Sequence, residues 1–330
     1  MIEVEHLSKL YGSTAAIEDV SFSVDAGEIL GFLGPNGAGK TTTMRILAGY
    51  LPATKGTAKI AGFEVHENSM AVRQRIGYLP EVPPLYPEMT VEGFLHFVAR
   101  IKGVSGGDRT NRVQTALEKC NLLERRKTII RKLSKGFRQR VGIAQAIVHD
   151  PPVIILDEPT VGLDPRQIID VRNLIKQLAN DHTVILSTHI LPEVSMTCDR
   201  ITIIDRGRIV ATNTPAQLMN QLSGGAGYEL DIEGSWEMIQ ACLQRVVGVQ
   251  KVEQIETASL PENRFRVRVN VESDQTVGRG LTAALVTHGL VLHEMRRVQA
   301  TLEDVFLELT TEDKPVAETE QLEQPEEPNA

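Results

Sequence analysis

The sequence predicts a layered α/β domain over residues 1–222, a smaller α+β domain over 228–310, and a disordered acidic tail over 312–330. Three observations carry this. Helix-like and strand-like stretches alternate through the first two-thirds of the 330 residues, the pattern of a sheet covered by helices. Between Gly34 and Thr42 the chain reads GPNGAGKTT, set between an apolar strand-like run, Ile29-Leu30-Gly31-Phe32-Leu33, and a helical one, Met44-Arg45-Ile46-Leu47. After Gly224-Gly225-Ala226-Gly227, the clearest linker, the pattern restarts in the order βαββαβ.

The elements follow in order. Ile2-Glu3-Val4-Glu5 and Val20-Ser21-Phe22-Ser23-Val24 alternate like strands of an N-terminal antiparallel subdomain, with turns at Tyr11-Gly12-Ser13 and Asp25-Ala26-Gly27. A strand–turn unit spans Gly56–Gly62, and a strand from Ile76 runs into a proline-rich loop after Glu81. From Thr90 to about Leu123 the spacing of Phe94, Leu95, Val98 and Ile101 turns helical, which predicts an inserted helical subdomain. Val153-Ile154-Ile155-Leu156 is continuously apolar, as a buried parallel strand should be. A helix over 166–180, a strand over 183–186, a helix over 192–197 and strands near 201–204 and 208–211 complete the first domain. The second is expected as strand 228–233, helix 235–246, strands 249–256 and 264–271, helix 275–288 and strand 290–297. A closing helix over 300–310 puts Leu302, Val305, Phe306 and Leu309 on one face.

Composition narrows the class. With 42% hydrophobic residues there is enough apolar mass for real cores. No apolar run approaches the roughly 18–20 residues that span a bilayer, so a membrane role needs a partner chain. The acidic, amphipathic start MIEVEHLSKLYG lacks the order of a signal peptide. Cys120, Cys198 and Cys242, odd in number and far apart, fit reduced thiols of a cytosolic protein, and no local signal makes one catalytic. Of the formal charge of −8, residues 312–330 carry −6, and this Pro- and Glu-rich tail has little to bury. A body near neutrality gives no reason to expect nucleic acid as a partner.

The glycine-rich turn is where the chemistry starts. Gly34, Pro35, Asn36, Gly37, Ala38 and Gly39 form a G-x-x-x-x-G-K-[ST] loop between strand and helix, whose inward N–H groups and helix N-terminus suit phosphates. Lys40 would reach the β- and γ-phosphates, Thr41 would hold Mg²⁺, and Thr42 completes the cradle. Asp157, at the C-terminal end of an apolar strand, is placed to hold Mg²⁺, and Glu158 to accept a proton from attacking water. Ser134 is an expected N-cap opening a second helix start, and His189 follows a strand neighbouring the nucleotide, within reach of a γ-phosphate.

Together these residues resemble the nucleotide-binding subunit of an ATP-binding-cassette (ABC) transporter over about residues 1–220. The resemblance implies a P-loop NTPase fold of the ABC type. GPNGAGKTT is then the P-loop (Walker A), LSKGFRQR the signature, VIILDE Walker B, Asp164 the D-loop aspartate and His189 the switch histidine. Tyr11 lies where the family stacks an aromatic on adenine. The resemblance also implies a head-to-tail dimer, each ATP held between one P-loop and the mate's Ser134, Lys135 and Gly136. Two departures stand out: LSKGF replaces the commoner LSGGQ, and Glu81 occupies the position of the usual glutamine. Glu81 can ligate Mg²⁺ but adds negative charge, so its role stays open at this point. Both departures, with the LEDVFLELT ending, are similar to the ABC-2 branch serving multidrug, polysaccharide-type or gliding-motility export permeases.

The expected activity is therefore ATP hydrolysis driving a separate polytopic permease, from the cytoplasmic face of the cell membrane and as a homo- or heterodimer. A soluble regulatory or mechanochemical ATPase is the alternative. Against it, the chain has one cassette where translation factors have two, and 85–132 is too short for a long heptad insertion. A third reading makes the C-terminal domain a small-ligand sensor, against a plainer role in dimer stability or docking.

Overall fold

A computed structural model describes residues 1–221, 226–255, 261, 263–271, 277–299 and 302–311. The tail expected over 312–330 and the linker residues 222–225 lie outside these.

β1 (Ile2–Tyr11) and β2 (Thr14–Val24) form a hairpin turning at Gly12-Ser13, longer at both strands than the alternation predicted. Ile2, Val4 and Leu7 face Ile17, Val20, Phe22 and Val24 in one core. β3 (Ile29–Leu33), buried throughout, leads through the glycine-rich turn into α1 (Lys40–Leu47). β4 (Lys55–Ile60) and β5 (Phe63–Glu64) join the hairpin as an antiparallel sheet of order β2-β1-β4-β5. α2 (Ser69–Arg75) buries only Val72, so it left no apolar stripe to read in the sequence.

β6 (Ile76–Leu79) precedes the helical block of α3 (Val91–Ile101), α4 (Arg109–Lys119) and α5 (Lys135–Ile147). Thr90 caps α3 by accepting from the Gly93 N–H at 3.2 Å. Phe94, Leu95, Val113, Leu117 and Val141 then share one core. β7 (Val153–Asp157), α6 (Pro165–Ala179), β8 (Thr183–Thr188), α7 (Leu191–Thr197), β9 (Arg200–Asp205), β10 (Arg208–Asn213) and α8 (Pro215–Gln221) follow.

The main sheet runs β10-β9-β3-β8-β7-β6, parallel except where β10 meets β9. Both faces are covered, which explains its uninterrupted apolar strands. Leu30, Phe32 and Ile155 pack toward α1 and the antiparallel sheet, whereas Leu33, Leu156 and Leu186 pack toward the helices. Register aligns Leu33 with Thr188 and Asp157 with Ser187, so the ends of β3, β8 and β7 finish at one edge. Ligands bind at that edge in open α/β sheets.

The C-terminal part comprises β11 (Ala226–Glu233), α9 (Trp236–Gln244), β12 (Val249–Ile255), β13 (Arg264–Val271), α10 (Val277–Thr287) and β14 (Val291–Gln299). Its sheet is antiparallel throughout, in the order β12-β13-β11-β14, with Ile239, Leu243, Leu281 and Leu285 packed on Leu230, Ile232, Val267 and Val269. Ala226 and Gly227, expected in the linker, already pair with β13 and β14 as strand residues. α11 (Leu302–Thr311) does not close this small core: it packs against α7 and α8, and Leu302, 4% exposed, belongs to the main core. Cys120, Cys198 and Cys242 are buried free thiols. Among the described residues no helix is long and apolar enough to cross a membrane.

Candidate nucleotide site

The edge formed by β3, β7 and β8 opens into a cleft of about 460 Å³. Asn36, Gly37, Gly39, Lys40, Thr41 and Thr42 line one side, and Glu81, Glu158 and His189 the other. Gly37 and Gly39 turn the loop with φ of 84° and 106°, where a side chain would be strained. A Cβ on Gly39 would also lie 2.7 Å from the Ala16 carbonyl oxygen, so the loop sits directly on β2. Ala16 and Val161 line the cleft too, and sequence reasoning missed both. As small apolar residues in a strand and a turn, they carried no chemical signal.

Lys40 is 6% exposed and folded back on the loop. Its ammonium donates to the carbonyls of Gly34 at 2.8 Å and Pro35 at 3.2 Å, and lies 3.5 Å from the Glu158 carboxylate. His189 Nδ1 is 3.0 Å from each oxygen of Glu158. Because a carboxylate only accepts, that nitrogen carries the proton. Glu158 adopts φ 50°, a left-handed conformation that a non-glycine residue holds only where its surroundings fix it. Its own N–H donates to the Ser187 carbonyl at 2.9 Å, which pins the end of β7 to β8.

Asp157 is wholly buried, and neither carboxylate oxygen has a hydrogen-bond partner. Burial raises its pKa, offset in part by the nearby Ser187 and Thr41 hydroxyls, and the charges of Glu158 and Glu81 raise it further. Buried polar groups are rarely left unpaired. An orphaned carboxylate beside the Thr41 hydroxyl suits a hard, oxygen-seeking cation such as Mg²⁺.

The remaining expected residues divide. Glu81 is in the cleft, exposed and facing the same space as Thr41 and Glu158. Tyr11 is 50% exposed at the tip of β1, outside the cleft lining, with Lys9 Nζ 5.5 Å from its ring centroid. Ser134 does cap α5, accepting from the Phe137 N–H at 3.4 Å. Lys135 lies against Gly162, where a Cβ would collide with its ammonium, and Gly136 similarly abuts Gln167. Asp164 caps α6 through the Gln167 N–H at 3.0 Å. Thus Ser134, Lys135, Gly136 and Asp164 cluster beside one another, and none of them lines the chain's own phosphate cleft.

Comparison with known proteins agrees with this geometry. The family described as "ABC transporter" matches residues 17–161. The linearmycin resistance ATP-binding protein LnrL of Bacillus subtilis (strain 168) is 32% identical over 311 residues, covering 94% of this chain and 98% of its own. The bacitracin transport ATP-binding protein BcrA of Bacillus licheniformis is 39% identical over 212 residues, 64% of this chain and 68% of that one. Among solved structures, an ATP-binding subunit of an ABC transporter superposes with a TM-score of 0.62 at 34% identity, covering 67% of this chain and 92% of the other. The dimeric cassette MJ0796, in a post-hydrolysis state with ADP and phosphate, gives 0.60 at 25% identity over 65% and 98%. A loop built for phosphates, a carboxylate held by a histidine, and relatives matching nearly end to end lead to one conclusion: the chain belongs to the ATP-binding subunits of ABC transporters, whose ATP hydrolysis is coupled to transport.

Proposed function

We propose that this subunit drives an exporter of the ABC-2 type, working as a dimer on the cytoplasmic face of a polytopic permease. The observation that carries the mechanism is the Lys40–Glu158–His189 cluster, closed on itself across the cleft. Lys40 donates to the loop carbonyls and lies beside Glu158. Lys40 would hold the β- and γ-phosphates, and Glu158 takes the proton of the attacking water as ADP leaves from the γ-phosphorus. His189 keeps the carboxylate oriented through Nδ1 and offers its other ring nitrogen, Nε2, toward the γ-phosphate. Thr41 and Asp157, with Glu81 as a further carboxylate, would hold Mg²⁺, which supplies charge neutralisation for the leaving phosphate. Gly34 to Thr42 cradle the phosphates, and exposed Tyr11 stacks on adenine.

Ser134, Lys135 and Gly136 complete the other subunit's site. That none of them lines their own cleft supports this, as does the dimeric state of MJ0796. Closure and opening then follow from the different affinities of the two states for ATP. Export is supported by relatives named for bacitracin transport and for Nod factor export in Ralstonia nicotianae. An apolar groove of about 510 Å³ beside the proline-rich loop, lined by Tyr50, Met70, Tyr78, Pro84 and Ile101, supports permease docking there. We assign residues 1–222, with the inserted helical subdomain, to the cassette, to which α11 (Leu302–Thr311) returns, and assign β11 through β14 with α9 and α10, within the 228–310 expected, to a ferredoxin-like accessory domain. The βαββαβ order and β12-β13-β11-β14 sheet support the second assignment.

Glu158→Gln tests the mechanism. Turnover should fall on the order of 10²–10⁴-fold while ATP binding persists and ATP-bound dimers accumulate in sedimentation experiments. Unchanged turnover would remove Glu158 from its role.

A further inference from the structure

Behind the cleft, α7 carries a carboxylate that the proposed chemistry does not use. Glu193 is 5% exposed. Its Oε2 accepts from the Thr160 hydroxyl at 2.6 Å and from the Thr188 hydroxyl at 3.4 Å, while Oε1 has no partner. Thr160 is two residues beyond Glu158, and Thr188 directly precedes His189. One side chain therefore grips the two segments that supply the base and its histidine. Thr188 in turn accepts from the Ile190 N–H at 3.1 Å, which extends the link into the turn that carries His189.

A buried carboxylate with an empty oxygen is an expensive way to fill space, since an apolar side chain of similar size would cost less. Its two hydroxyl partners converge on a residue held at φ 50°. Such a conformation persists only when the surroundings over-determine it. The Glu158 N–H fixes that segment from the front, through Ser187; Glu193 fixes it from behind, through Thr160. α7 itself is wedged between β3, β8, α6 and the returning α11.

We propose that Glu193 is a positioning residue for hydrolysis: by holding the Thr160 and Thr188 hydroxyls together, it sets the geometry in which Glu158 and His189 face the attacking water. The proposal rests on the roles given above to Glu158 and His189. A misplaced base costs rate far more than substrate affinity, because the phosphate cradle of Gly34 to Thr42 lies on another segment.

The test uses the purified full-length chain and measures kcat and KM for ATP, binding of a fluorescent ATP analogue, and thermal melting. Glu193→Leu should lower kcat about 10–100-fold with KM and analogue affinity within about twofold of wild type. Glu193→Gln, which keeps an acceptor oxygen, should recover most of that loss. Thr160→Val should lower kcat as well, Thr160→Ser should restore it, and Thr160→Val combined with Glu193→Leu should cost no more than the worse single change. The threonine pair keeps the test decisive where Glu193→Leu does not fold. Wild-type kcat in a folded Glu193→Leu or Thr160→Val protein, or fully additive losses in the double variant, would overturn the proposal. Glu158→Gln, run in parallel, separates the two failures. If it also retains turnover, the underlying mechanism is wrong; if it is dead while the Glu193 variants are active, only the positioning role falls.

Discussion

Asp157 and Asp231 are both buried carboxylates, at 0% and 3% exposure, in two parts of the molecule that treat them in opposite ways. In the C-terminal sheet, Arg264 clamps Asp231 with two hydrogen bonds of 2.6 and 2.8 Å. One pair of residues along β11, Glu229 receives Arg268 at 2.8 Å and the Arg296 Nε at 2.9 Å. Hydrogen bonds from Arg264 and Arg268 hold these two acids below their usual pKa despite burial. In the cassette, Asp157 has no partner on either oxygen, and burial pushes its pKa the other way. Each arrangement has its own logic. A buried charge answered by bidentate arginine is finished architecture. One left open at the end of a parallel strand stores a demand for a ligand.

The largest effect that sharpens this contrast comes from Asp157→Asn. ATP hydrolysis should drop on the order of 10²–10³-fold, as it does when one element of an electrostatic clamp is removed. The nucleotide-free protein should meanwhile become more stable, by about 1 kcal/mol, because a buried charge offset only in part by the Ser187 and Thr41 hydroxyls has gone. Thermal melting with and without ATP and Mg²⁺ checks both halves. An Asp157→Asn protein that melts lower than wild type without nucleotide would place Asp157 among the structural carboxylates and dissolve the comparison.

The next effect concerns where the boundary between the two parts runs. Leu302, beyond the last strand of the C-terminal sheet, is buried in the cassette's core beside α7 and α8. Leu302→Ala should cost about 2–5 kcal/mol, the range for truncating a buried leucine. That loss should fall on the cassette. Trp236, the single tryptophan, packs against Phe265 at 5.9 Å between ring centroids and reports on the C-terminal core. Its fluorescence transition should stay put while faster amide exchange appears in α7 and α8. Protection lost in β11 and β13 instead would return α11 to the C-terminal domain.

How much of this was legible in the sequence depends on how local each feature is. The phosphate loop, Asp157, Glu158 and the Ser134 cap were readable because each is fixed by a few adjacent residues and the element that carries them. The βαββαβ order was readable from alternation such as Phe265, Val267, Val269 and Val271. What failed to show depends on residues meeting from far apart. The left-handed φ of Glu158 arises where β7 is tied to β8 through Ser187. Glu193 looked like one more acid on a short helix, since its partners sit 33 and 5 residues away on other segments. The apolar face of α11 was visible in Leu302, Phe306 and Leu309, but its choice of core was not, because amphipathicity says that a face is buried and not against what. Ala226 and Gly227 read as linker from composition, whereas flanking strands recruit them into β11.

The smallest effect isolates the paired side of the comparison. Asp231→Asn leaves Arg264 without its bidentate acceptor and should cost about 1–3 kcal/mol at neutral pH, the worth of a hydrogen bond to a charged group. Because the folded pKa of Asp231 is depressed, its contribution is fully present above the unfolded value of about 3.9 and disappears as pH falls through the folded one. Asp157 has the opposite sign: its raised pKa imposes a penalty at neutral pH that protonation relieves on the way down. Acidification should therefore weaken the C-terminal sheet while sparing the cassette this particular cost. Urea melts followed by Trp236 fluorescence should show wild type and Asp231→Asn well apart at pH 7 and converging below about pH 4. A gap that stays constant across that range would mean that Arg264 binds Asp231 for its shape rather than its charge, and the opposition between the two carboxylates would then rest on Asp157 alone.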